Sequence, residues 1–77
     1  MRRFTLLTRP GCGLCEEFEH AALAVAQGRC EIEPVLVDHH PAWQAQYGLT
    51  IPVLLDAQGR FICAVTVDVN ALEAALS

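Results

Sequence analysis

A chain of 77 residues has room for one domain, and at 53% hydrophobic residues it has the material for an efficiently used core. A formal net charge of −4, with Arg2, Arg3, Arg9, Arg29 and Arg60 scattered and no lysine, argues against a nucleic-acid surface, which needs clustered cations. No apolar run nears the ~20 residues that cross a bilayer, so no membrane association is expected either.

The chain opens "MRRFTLLTRPG", two leading arginines with no apolar stretch of signal-peptide length before Pro10. We read an untargeted start and expect a cytoplasmic location. In a reducing compartment four cysteines are catalytic or metal-binding more often than a disulfide framework.

Residues 3–8 are apolar on both faces and end at Pro10-Gly11, the pattern of a buried strand. From residue 13 to about 27 the spacing of Leu14, Phe18, Ala21, Ala22 and Val25 predicts an amphipathic helix, with Gly28 at its C-terminal cap. Residues 30–38 read as a second strand, placed at a sheet edge by Pro34, which has no N–H to donate. Residues 40–48 suit a short helix, with Pro41 in its first turn, Trp43 and Tyr47 paired at i,i+4, and Gly48 closing it. "PVLLD" and "RFICAVTV" around Ala57-Gln58-Gly59 predict an antiparallel hairpin. A last helix covers residues 70–77, where Asn70 and Glu73 have capping-box spacing. Apolar strands joined by helices imply a central sheet covered on both faces, an α/β domain.

Chemistry concentrates in "RPGCGLCEEF", residues 9–18. A structural zinc site needs four ligands, usually two C-x-x-C pairs. Here Cys12 and Cys15 form one pair, whereas Cys30 and Cys63 stand alone on predicted strands, where cysteine acts as a small hydrophobe. Nothing in the spacing of His20, His39 or His40 brings them to Cys12, and the adjacent histidines suit a solvated helix start. A staple is the weaker alternative, because closing so short a loop removes little entropy from the unfolded chain. An inert pair that merely packs is the bland reading.

Redox exchange fits the position better. Cys12 stands at the start of a predicted helix, where free N–H groups and the helix dipole favour an anion, and Arg9 can add positive charge. A thiol with pKa near 8.5 is only ~3% ionised at pH 7, and one lowered to about 6 is ~90% ionised. Cys12 is therefore the expected attacking thiol and Cys15, one turn further in, the resolving one. Glu16 and Glu17 oppose the shift, but on an exposed first turn their charges are screened. Downstream, Pro52 opens a strand in "LTIPVLL". A cis Ile51–Pro52 bond opposite the cysteines would turn the Ile51 backbone outward to pair with an extended substrate.

"TRPGCGLC", the Thr50-Ile51-Pro52 triplet and the element order together resemble a glutaredoxin-like protein of the thioredoxin superfamily, and in particular its small bacterial glutaredoxin-like members. The resemblance covers nearly the whole chain. It implies a four-stranded mixed sheet of order 2-1-3-4 flanked by three helices, a Cys12/Cys15 dithiol and a cis Pro52. It also implies substrate contacts from Arg9, Gly13, Leu14, Thr50, Ile51 and Pro52. The chain departs from the family pattern in three places. Gly13-Leu14 replaces Pro-Tyr, Arg9 replaces a lysine, and "CAVTVDVN" lacks the Gly-Gly pair that lets glutathione approach, with Asp68 or Thr66 as partial substitutes.

These readings lead to a monomeric thiol–disulfide oxidoreductase with no tightly bound cofactor. It would act on protein or small-molecule disulfides, with glutathione or a thioredoxin-type reductase restoring its dithiol. Two alternatives stand beside it: an iron–sulfur carrier that shares a cluster between subunits through Cys12, and a docking module whose dithiol is vestigial.

Overall fold

The computed structural model describes residues 2–77. Four strands, β1 (Arg2–Thr8), β2 (Cys30–Leu36), β3 (Val53–Leu55) and β4 (Phe61–Ala64), form one mixed sheet in the order β2-β1-β3-β4. Three helices, α1 (Gly13–Ala26), α2 (Pro41–Tyr47) and α3 (Val69–Leu76), cover it. β1 pairs in parallel with β2 and antiparallel with β3, which pairs antiparallel with β4. The edge position of β2 tolerates Pro34, opposite Leu6 in the register, because an edge strand has one side without a ladder to break.

Side-chain alternation along the central strands divides the interior into two cores. Phe4, Leu6 and Leu54 face α1 and α3, meeting Phe18, Ala22 and Ala26 from α1 and Leu72 from α3. Their neighbours Leu7, Val53 and Leu55 face the other way, toward Val37 and the Trp43 and Tyr47 rings of α2. No residue of α2 is fully buried, so its attachment depends on those two aromatic rings. They do not pair with each other as the i,i+4 spacing suggests. Trp43 lies 5.0 Å from the His40 ring, and Tyr47 stacks on Phe61 at 6.1 Å between centroids. Among the described residues no helix is long and apolar enough to cross a membrane.

Three local expectations need correction. β2 stops at Leu36, and a 3-10 turn, Val37–His39, takes the residues expected to extend it. Val37 is drawn into the second core, which turns the chain off the sheet edge. Helix α1 is capped at Gln27, which adopts the left-handed conformation (φ 49°) and donates its N–H to Leu23 O, with Gly28 the next left-handed residue. Helix α3 is capped by Asp68, whose carboxylate accepts the Ala71 N–H at 3.0 Å, rather than by Asn70. Glu73 instead takes two hydrogen bonds from Arg29, tying the end of α1 to α3. That pairing holds the Glu73 carboxyl below its usual range, so its contribution is complete at neutral pH and lost only as acid protonates it.

Cys30 and Cys63 are buried in the first core, and burial raises both thiol pKa values. The unfolded chain then releases these protons at lower pH than the folded one. Stability from these sites is complete below about pH 8.5 and falls as pH rises toward the folded values. Urea midpoints measured across pH 7–10 should decline on the alkaline side, and a Cys30→Ala/Cys63→Ala variant should show a shallower decline.

Candidate active site

β1 leaves the sheet at Thr8, and the chain turns through Arg9, Pro10 and Gly11, where φ is +72°, a value glycine adopts without strain. This turn delivers Cys12 in extended conformation to the N-cap position of α1. Its Sγ accepts the Cys15 N–H at 3.1 Å, and its carbonyl accepts the Glu16 N–H at 3.2 Å. A cysteine thus fills the place of the serine or aspartate that commonly caps a helix. Cys15, in the first turn, is 3% exposed and bonded to Cys12 through a disulfide, with Cα atoms 5.2 Å apart. Cys12 is half-buried, while Gly13 and Leu14 between the two sulfurs are exposed.

The segment before β3 comes to the same end of the sheet. Val53 pairs with Leu7, which sets Pro52 at the end of the sheet from which β1 leaves toward Cys12. The Ile51–Pro52 bond is cis. Thr50 is exposed and Ile51 half-buried against the second core, whereas Pro52 is buried. Pro52 O accepts the Val65 N–H at 2.8 Å, fastening this segment to the chain that leaves β4. Among the described residues, the Ile51 N–H and C=O make no backbone hydrogen bond.

Arg9 is less free than its sequence position suggests. Its guanidinium bonds the Asp38 carboxylate at 3.1–3.2 Å and donates to Gly48 O at 2.6 Å. It therefore locks the end of β1 to the 3-10 turn and to the end of α2, with its charge already compensated. Gly48 is needed there, since a Cβ would stand 2.5 Å from Gln44 O and 3.3 Å from the Arg9 guanidinium. Arg9→Met should lower stability by about 1 kcal/mol, read from the urea midpoint, and Arg9→Lys should not restore it, because lysine cannot bridge both partners in one plane.

Sequence reasoning missed three residues of this region. Asp38 stands 29 positions from the arginine it binds, and no local pattern announces the pair. Gly48 reads as a helix stop, without sign of the guanidinium above it. Val65 adopts φ +68°, rare for a β-branched residue, and nothing in "CAVTV" signals it. Among the described residues, no three His, Cys, Asp or Glu side chains converge as metal ligands.

Residues 3–77 match the family model described as a glutaredoxin-like domain (DUF836). The chain belongs to that family. This glutaredoxin-like chain also superposes on solved structures. It shares 30% identity and a TM-score of 0.84 with protein Ne2328 from Nitrosomonas europaea, solved by NMR, over 99% of its own length and 92% of that chain. With a protein of X. campestris, solved by X-ray crystallography, it shares 36% identity and a TM-score of 0.69, over 95% of its length and 93% of that chain. No curated protein sequence is significantly similar to it. A glutaredoxin-like domain with its two cysteines joined at a helix start fits redox function.

Proposed function

We propose that this glutaredoxin-like protein is a thiol–disulfide oxidoreductase working through Cys12 and Cys15. The observation that carries the reading is the asymmetry of the pair. Both sulfurs are within bonding reach, but Cys15 is buried and Cys12 is accessible at a helix N-cap with an N–H aimed at its sulfur. On reduction that N–H stabilises a Cys12 thiolate, the form that attacks disulfides.

The Cys12 thiolate attacks one sulfur of a substrate disulfide. A Cys12–substrate bond forms, the substrate S–S bond breaks, and the departing thiolate takes a proton from solvent. Cys15 then loses its proton and displaces the second substrate sulfur. Two electrons have passed to the substrate, and the enzyme is left as the Cys12–Cys15 disulfide. A thiol reductant, glutathione or a thioredoxin-type reductase, restores the dithiol. Two buried unpaired thiols, Cys30 and Cys63, suit a reducing compartment, and we place the protein in the cytoplasm as a monomer.

Equilibration against a glutathione redox buffer, followed by acid quench and mass spectrometry, tests this. The expected result is one two-electron transition in which Cys12 and Cys15 lose two hydrogens together while Cys30 and Cys63 stay reduced. A protein whose Cys12–Cys15 pair stays in one state across a range spanning the ~150 mV seen among related dithiols would have no exchange function.

A further inference from the structure

We infer that the disulfide Cys12 attacks by preference is carried by a polypeptide rather than being glutathione disulfide. Its cysteine would be carried in an extended segment, with an apolar side chain beside it and a basic one nearby. The inference rests on the redox reading above and adds the substrate class.

The first support is an apolar surface that begins between the two cysteines. Leu14, between them, is 56% exposed, and Val65, which lines the same groove, is 45% exposed. Solvent exposure of two large apolar side chains beside one reactive group is unfavourable unless something covers them. Leu14 opens a groove of about 240 Å³ that runs between α1 and the Val65–Val67 segment, with Phe18 and Ala21 as its floor. Glu17 is the one charged residue in its lining. Val65 is held in its left-handed conformation by the bond to Pro52 O, which fixes that wall of the groove.

The second support is charge. The end of the molecule that carries the disulfide has Glu16 and Glu17 on the first turns of α1, and α3 begins there with Asp68. The carboxylate of Asp68 already occupies the start of α3, where a free anion would otherwise be favoured. The nearby cation, Arg9, is paired with Asp38. Arg2 and Arg3 begin β1, Arg29 follows α1 and Arg60 precedes β4, all at the far end of the sheet. Glutathione would bring two carboxylates to a surface that offers carboxylates. An apolar side chain next to the exchanging cysteine fits the groove, and a lysine or arginine beyond it meets Glu17.

The test uses the Cys15→Ser protein, in which a disulfide formed at Cys12 stays trapped. Four probes are compared by their second-order rates of adduct formation: hydroxyethyl disulfide, glutathione disulfide, and the symmetrical disulfides of short peptides containing Leu-Cys-Arg or Ser-Cys-Glu. The Leu-Cys-Arg probe should react about tenfold faster than glutathione disulfide, with an advantage that shrinks at high salt. Glu17→Lys should reverse the preference between the two peptides, and Leu14→Ser should reduce it. Glutathione disulfide reacting as fast as the Leu-Cys-Arg probe, or preferences indifferent to both substitutions, would overturn the inference while leaving exchange at Cys12 intact. Failure of all four probes, hydroxyethyl disulfide included, would instead remove the redox reading and this inference with it.

Discussion

Replacing Cys12 by serine should reduce disulfide exchange by a factor on the order of a thousand or more, because among the described residues no other accessible sulfur stands at the helix start. Cys15→Ser should behave differently. It keeps the attacking group and loses the resolving one, so the first bond still forms and a covalent adduct accumulates. Mass spectrometry of each variant after mixing with a small disulfide reads both results at once, as no adduct for Cys12→Ser and one adduct for Cys15→Ser. Equal adduct formation on both variants would mean that burial of Cys15 does not decide which sulfur is attacked.

The largest effect on stability is expected at Leu54. Its side chain is completely buried in the short central strand β3, between Leu6 of β1 and Cys63 of β4. Truncation to alanine removes that burial and leaves a cavity bounded by two helices and the sheet, at a cost of about 2–5 kcal/mol. A domain of this size has roughly 4–11 kcal/mol in total. Leu54→Ala should therefore lower Tm by more than about 10 °C in a calorimetric or circular-dichroism melt. Leu49→Ala, the same chemical change at a fully exposed site, should shift stability by no more than about 0.5 kcal/mol. A comparable loss at both positions would contradict the division into core and surface.

Much of this architecture is written in local pattern. The apolar strand before Pro10-Gly11, the spacing of Leu14, Phe18, Ala22 and Val25, and the proline at residue 34 place β1, α1 and the sheet edge without reference to anything distant. What could not be read depends on partners far along the chain. Asn70 and Asp68 are both good caps, and only the exit path of β4 decides that Asp68 takes the role. Glu73 has the spacing of a capping box but finds Arg29 across the helix interface, 44 residues away, a stronger partner than a backbone N–H. Val37 continues the apolar run of β2, yet burying it beneath α2 gains more than extending an edge strand. At the candidate site the cysteine pair and Pro52 stand out as motifs. The compensation of Arg9 by Asp38 and the left-handed Val65 do not, since each is settled by where two loops meet.

The segment from Gly48 to Pro52 is anchored throughout its short length: Arg9 holds the Gly48 carbonyl, Thr50 N–H bonds Tyr47 O, and Val65 N–H holds the Pro52 carbonyl. Its disorder was therefore surrendered when the domain folded. A partner chain laid along Ile51, as the proposed exchange would require, would meet a rigid template, so association should require little rearrangement of the domain, and differences between partners should be expressed mainly in how long each stays bound.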